Sequence, residues 1–305
     1  MTFCVFADLH YDAIPDGDRR IRALLEACER KNVNFILELG DLCRPTEENK
    51  KVMEQLRGAG VPCYFALGNH NVDKCTTEEA LRFLGLEKGH YSIRQGNVKF
   101  LFLDANYVKT ECRCFPVCGT DAAFPAGRYP YIPPEQIAWL RDELAEEGCF
   151  YVICSHQSLF NDFAAGDRAR GIVNREEVRY VLERRNQRKK CILFCINGHD
   201  HGDAMEQING ISYYSLNAAS YIWHGTKPIY AYGTEIHNRY PALKHMILYE
   251  EPLHVIISID GQGEVEIEGM RTHYQSVTPE EAGIGATWNG VSILPRASSL
   301  HIAAP

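Results

Sequence analysis

The chain has 305 residues, 45% hydrophobic and 24% charged, and its 32 Lys and Arg against 40 Asp and Glu leave a formal charge of −8. This ordinary globular composition excludes a disordered, collagen-like or coiled-coil architecture, and the length admits either two domains of about 150 residues or one large domain with a tail. No run reaches the roughly 18 apolar residues of a spanning helix, and the acidic balance argues against nucleic acid or an anionic membrane as partner.

In chain order, Phe3–Ala7 is a β-rich run ending at Asp8. It begins without the basic region of an export signal, so with twelve cysteines a reducing cytoplasm is expected. Arg19–Lys31 carries Ile21, Leu24, Leu25 and Cys28 at helical spacing. Asn34–Leu39 reads as a strand ending in Gly40-Asp41, and Glu47–Gly58 as a helix opened by Thr46. Pro62–Leu67 is a third strand, ending at Gly68-Asn69-His70, and Thr76–Leu84 a further helix. His90–Arg94 and Lys99–Asp104 flank Gln95-Gly96-Asn97 as a hairpin. Residues 106–134 are irregular, Glu135–Glu147 is helical, and Phe150–Ser155 is a strand followed by His156. Asn174–Arg188 is a charged helix and Cys191–Asn197 an apolar strand running into Gly198-His199-Asp200-His201. Ile211–Leu216, Leu253–Ile259 and Glu264–Glu268 complete the strands. Residues 1–270 are expected to form one domain and residues 271–305 a C-terminal extension.

Five polar clusters thus follow predicted strand ends: Asp8-Leu9-His10, Gly40-Asp41, Gly68-Asn69-His70, His156 and Gly198-His199-Asp200-His201. Loops at the carboxyl ends of strands converge over one sheet edge, and residues two apart in extended chain face the same side. Taken singly, each cluster is more often a turn, a cap or a half-buried histidine than a ligand. Together they offer carboxylate, imidazole and amide oxygen, a ligand set suited to Mn, Fe or Zn.

The series D-x-H, G-D, G-N-H, H and G-H-x-H resembles the calcineurin-like metallophosphoesterase superfamily over residues 3–220, with Glu135–Leu140 similar to the helix before the lone histidine in many members. The resemblance implies an α/β (α+β) fold, a two-sheet β-sandwich flanked by helices, and two divalent or trivalent transition-metal ions at one end. It implies that Asp8, His10 and His201 bind the first metal, that Asn69, His156 and His199 bind the second, and that Asp41 bridges the two. His70 is implied as proton donor or transition-state stabiliser. The implied enzyme is a phosphohydrolase that cleaves a small phosphate ester by attack of a metal-bridging hydroxide. Diesters are favoured, because the chain is broadly similar to the bacterial cyclic-nucleotide and glycerophosphodiester branch. A monoesterase, a nuclease of the same fold and a non-catalytic metal-binding scaffold are the rival readings.

Two departures from the family pattern stand out. Asn71 replaces the acidic residue that many members carry after G-N-H, so whatever that carboxylate orients is absent or supplied from elsewhere. Arg44 lies three residues after Asp41, where purple acid phosphatases carry a tyrosine ligand and protein Ser/Thr phosphatases an aspartate paired with the catalytic histidine. Arg44 and Asn71 are candidate substrate contacts, and so is His224 in the aromatic stretch Tyr221–Tyr240; a surface arginine and core packing are the plainer alternatives. Tyr107, Arg113, Arg128 and Tyr131 either hold a substrate or pin down their own loop. Cys112, Cys114 and Cys118 are three potential zinc ligands without the usual CxxC pairs.

Overall fold

Alternation of side chains along the strands builds the molecule in four layers. Phe3 and Val5 of strand Thr2–Phe6 face one core while Cys4 and Phe6 face another, and Phe35 and Leu37 split from Ile36 in the same way. In the facing sheet Phe100, Phe102, Val152 and Cys154 join Phe3 and Val5, whereas Leu101, Leu103, Tyr151 and Ile153 turn outward. Each sheet is therefore apolar on both faces, packing against the other sheet inside and against helices outside. The computed structural model describes residues 1–119, 129–165, 168–225 and 227–305.

The first six-stranded sheet runs in the order Leu300–Ile302, Val265–Glu268, Val255–Ile259, Thr2–Phe6, Phe35–Glu38 and Cys63–Phe65. Its last three strands are parallel, with Val5 opposite Leu37 and Leu37 opposite Tyr64. The second runs Ala204–Ile208, Ile211–Ser215, Ile192–Asn197, Phe150–Ser155, Val98–Leu103 and Tyr91–Gln95, and its four inner strands are parallel. A stacked Phe3–Phe35 pair at 4.7 Å, with Phe100 edge-on to Phe3 at 5.3 Å, joins the two sheets. Helices Gly17–Arg30, Lys50–Arg57 and Thr77–Leu84 cover the first sheet through Leu24, Leu56 and Leu84. Pro134–Glu143 and Arg175–Arg188 cover the second through Leu140 and Leu182. No helix among the described residues is long and apolar enough to cross a membrane.

Differences from the expected elements have local causes. The helix expected over Glu135–Glu147 stops at Glu143, where the Tyr151 hydroxyl donates to the Glu143 and Glu146 carbonyls and Arg185 Nε to that of Leu144. Residues 106–134 are not irregular throughout: Tyr107–Lys109 and Cys114–Pro116 pair as a short hairpin. Beyond residue 270, Leu300–Ile302 extends the first sheet, and Asp203 anchors the segment by accepting hydrogen bonds from Arg296 and Ser298.

Strand Val98–Leu103 runs into Asp104, which is buried and accepts two 2.9 Å hydrogen bonds from Asn106. Burial pushes its carboxyl up to about 6, against the lowering effect of those bonds. A folded-state pKa above the unfolded value gives stability that is complete below pH ~4 and is lost as pH rises through ~6, by about 3 kcal/mol. Asp104→Asn retains the oxygen acceptor and should remove that slope. Urea unfolding of both proteins between pH 4 and 7 measures the difference.

Candidate metal centre

The parallel strands of both sheets end at the same edge of the sandwich. Asp8, Asp41, Asn69 and His70 follow strands of the first sheet, and His156, His199 and His201 follow strands of the second. Asp8 (φ 53°), His10 (47°), Asp41 (62°), His199 (66°) and His201 (50°) all adopt left-handed backbone. D-x-H and H-x-H therefore turn their alternate residues inward through two left-handed residues, not through the extended geometry expected. Non-glycine residues in this region cost about 1–3 kcal/mol each and collect at functional sites. Asn69, by contrast, opens the short helix Asn69–Val72.

The two carboxylates are arranged alike. Asp8 Oδ2 accepts the His199 N–H at 2.8 Å, and Asp41 Oδ1 accepts the His70 N–H at 2.7 Å. The remaining oxygens face the centre. Asp8 Oδ1 lies 3.4 Å from His201 Nε2 and 3.8 Å from His10 Nε2, and these two rings approach to 3.3 Å. Asp41 Oδ2 lies 3.1 Å from His156 Nε2 and 3.8 Å from His10 Nε2, while Asn69 Oδ1 is 3.2 Å from His156 Nε2. Donor atoms at 2.0–2.2 Å from a common ion stand roughly 3.0–3.6 Å apart, close to what these atoms show.

Two further observations fit cations at this place. His156 Nδ1 hydrogen-bonds the Leu39 carbonyl at 2.8 Å and His201 Nδ1 the Tyr221 carbonyl at 2.9 Å, which assigns the N–H to Nδ1 and leaves Nε2 as the inward donor. Asp8 Oδ1 is buried without a hydrogen-bond partner, an arrangement that demands positive charge. Asp8, His10 and His201 form one potential ion-binding group and Asp8, Asp41 and His156 another. Asp8 is common to both, and Asp41 Oδ2 also reaches a histidine of each.

Electrostatics follow from the burial. Desolvation alone would raise Asp8 and Asp41, but His201 and His156 hold Asp8 down, and His156 and His70 hold Asp41 well down. Burial keeps His10 neutral, with its pKa pushed down to about 3, and His199 likewise falls well below the ordinary imidazole value. Against its own burial, His156 is lifted to about 9 by Asp41 and Asp8, so a cation bound at its Nε2 would displace a proton held between the two carboxylates.

A cleft of about 390 Å³ opens over these groups, lined by His10, Asp41, Asn69, His70, His199 and His201 together with Arg44, Arg170, Tyr221, Trp223 and others. His199 sits 5.0 Å from the His156 ring, centre to centre, and belongs to neither potential ion-binding group. Arg44 reaches the cleft already engaged: Nε and Nη2 donate to Asp73 at 3.1 and 2.9 Å, and Nη1 donates to Asp12 at 3.1 Å. Asn71 is buried away from substrate space, accepting from the Gly68 N–H at 2.8 Å and donating to the Cys43 carbonyl at 2.9 Å. His224 is also buried, with Trp223 beside it lining the cleft in its place. Tyr107, Arg113 and Tyr131 do not line the cleft; Arg113 stacks on Phe115 and Lys109 on Tyr131. Arg128 lies outside the described residues. Cys112, Cys114 and Cys118 form no metal-binding group among the described residues.

Two residues escaped the sequence reading. Asp73 Oδ2 is 2.8 Å from His70 Nδ1, and its place three residues on, just past a helical turn, was the available signal. Arg170 donates to the His199 carbonyl and has its Nε 3.8 Å from Asp200, with no local motif to announce it.

A family model described as calcineurin-like phosphoesterase matches residues 1–203. No curated protein matches the sequence. Among solved structures, the chain is similar to a dimetal phosphatase from Danio rerio, 16% identical with a TM-score of 0.61, the match covering 91% of this chain and 99% of that one. It is also similar to purple acid phosphatase PPD1 from yellow lupin, at 14% identity and a TM-score of 0.54 over 90% of this chain and 51% of that one. GAP50, the anchor in the inner membrane complex of Plasmodium, matches at 12% identity and 0.51 over 91% of this chain and 89% of that one. At these identities the likenesses show a shared fold.

A Cβ on Gly68 would lie 2.2 Å from Asp41 Oδ1, and one on Gly40 (φ +99°) 2.5 Å from His156 Nδ1. Adding Mn or Zn to chelator-treated protein should raise its unfolding temperature, an effect worth about 2.7 kcal/mol at a hundred times Kd. Gly68→Ala should abolish most of that shift by displacing the Asp41 carboxylate, as read by thermal scans with and without metal.

Proposed function

The chain belongs to the calcineurin-like phosphoesterase family and is a phosphoric ester hydrolase, and from that premise we propose that it cleaves small phosphodiesters with two transition-metal ions, Mn, Fe or Zn. Asp8, His10 and His201 would hold one ion, Asn69, His156 and His199 the other, and Asp41 both. The observation that carries this reading is the convergence of Asp8 Oδ1 and Asp41 Oδ2 with the Nε2 atoms of His10, His156 and His201 beneath an open cleft. When bound, two such ions supply positive charge to the phosphate oxygens and lower the pKa of water.

The chain's own residues supply the rest. The His70 backbone N–H holds Asp41 in place, while its ring lies 5.1 Å from that of His10 at the cleft wall. Burial opposes its protonation, but Asp41 and Asp73 together raise its pKa above the ordinary value, which suits a proton donor to the departing oxygen. Arg170 is the cleft cation whose guanidinium is not forked between two carboxylates, and we assign it to a substrate phosphate oxygen. With Arg44 neutralised by Asp12 and Asp73, the cleft offers little positive charge beyond the ions and Arg170. That supports a singly charged diester over a doubly charged monoester. All twelve cysteines are free thiols, which supports a reducing cytoplasm.

The test is a hydrolysis screen with Mn, Fe, Co and Zn against matched mono- and diesters, cyclic nucleotides included. Diesters should show the higher kcat/KM; a monoester preference refutes the substrate class. Asp41→Asn should abolish turnover and reduce metal content, and retained turnover would refute the centre. His70→Ala should keep its metal yet lose about 10²-fold or more in kcat on alkyl esters. Arg170→Gln should raise KM with kcat largely kept, as loss of uniform binding requires.

A further inference from the structure

The family pattern places an acid directly after G-N-H, but in this chain that position is Asn71, and its side chain is committed elsewhere. Asn71 Oδ1 accepts from the Gly68 N–H at 2.8 Å and the Asp41 N–H at 3.3 Å, and Nδ2 donates to the Cys43 carbonyl at 2.9 Å. It braces the loops and does not orient the His70 ring. A different carboxylate does touch that ring: Asp73 Oδ2 lies 2.8 Å from His70 Nδ1. Asp73 is in turn gripped by both Nε and Nη2 of Arg44, at 3.1 and 2.9 Å. Arg44 is steadied from behind by Asp12, which accepts Nη1 through one oxygen and the Arg44 backbone N–H through the other, both at 3.1 Å.

We propose that Asp73 is the positioning residue for His70 and that Arg44, pinned by Asp12, locks Asp73 in the orientation that serves it. This rests on the reading of His70 as the acid. A two-oxygen grip on Asp73 leaves its carboxylate one orientation, and a ring that donates Nδ1–H to it has Nε2 as its only other nitrogen to offer the cleft. In hydrolysis a water oxygen forms the new P–O bond while the bond to the leaving oxygen breaks. The electron pair of that bond goes to the leaving oxygen, which takes the Nε2 proton of His70 and departs as alcohol. One proton of the water stays on the product phosphate, and the other restores His70. Asp73 carries no proton in the cycle; it holds the ring where the leaving oxygen will be. Asp12, Arg44 and Asp73 follow the D-x-H, G-D and G-N-H motifs in turn, so the network registers the acid against the three loops that build the first-sheet half of the metal centre.

The experiment compares two substrates with the same phosphoryl group, one leaving as p-nitrophenolate and one as an alkoxide, in the metal-loaded enzyme. A nitrophenolate departs without protonation, whereas an alkoxide needs the acid. Asp73→Asn should lower kcat for the alkyl ester on the order of 10- to 100-fold and for the aryl ester by less than about threefold. KM and metal content should not change. Arg44→Gln should give the same split at smaller amplitude, and it carries the test by itself if Asp73→Asn does not fold. Asp73→Glu should recover part of the alkyl-ester activity. The proposal is overturned if Asp73→Asn keeps alkyl-ester turnover within about twofold of wild type while His70→Ala loses it. It is equally overturned if both esters fall in parallel or metal is lost, the signature of a purely structural role. Full alkyl-ester activity in His70→Ala would sink the acid reading itself and the role of Asp73 with it.

Discussion

Two carboxylates removed from water govern this end of the molecule. Asp8 and Asp41 are buried, and a buried anion is costly unless it is both hydrogen-bonded and paired. Each meets that demand in the same way: one oxygen is held by a backbone N–H from another strand-end loop, and the other oxygen faces a group of imidazoles. The loops therefore orient one another's ligands. No single motif is pre-formed without the rest, and the centre depends on the two sheets packing in register.

The geometry has a backbone consequence. To bring the carboxylates and imidazoles together, five non-glycine residues adopt left-handed conformations, and Gly40 and Gly68 let neighbouring chain approach where a Cβ would collide. Such strain persists only where the surroundings over-determine it. Here the surroundings are the doubly apolar strands behind each loop, exemplified by Ile192–Asn197, every residue of which is buried. The rigid sandwich and the strained rim are thus one design: the first holds the second at separations a coordinated ion requires.

Around His70 the same economy of charge appears. Arg44 lines the cleft, but Asp12 and Asp73 neutralise it, and Asp73 in turn meets the His70 ring. Among the described residues the other arginine that lines the cleft is Arg170, whose Nε lies 3.8 Å from Asp200. The two arginines are held differently: Arg44 is forked between Asp12 and Asp73, whereas Arg170, which follows the short pair Ala164–Ala165 and Arg168–Ala169, meets the His199 carbonyl and Asp200.

The inner strands and their order in the chain were legible in the sequence, because apolar runs are short-range signals; the edge strands Ala204–Ile208 and Leu300–Ile302 were not, since they are largely exposed and carry no buried face. Asp8, His10, Asp41, Asn69, His70, His156, His199 and His201 come together at one end of the sandwich. Long side chains were not legible in this way. Arg44 and Asp73 are 29 residues apart, and Arg170 and His199 are also 29 apart; which partner each arginine takes depends on how the loops settle after the sheets have packed. His224 read as a substrate contact because it follows the last metal motif, yet it is buried just past strand Tyr221–Trp223, and Trp223 is the side chain exposed there. Residue chemistry and spacing determined which groups are available at the strand ends; the packed sandwich alone decided which face ions, which face substrate and which face one another, since those choices turn on distances between segments that sequence separation does not encode.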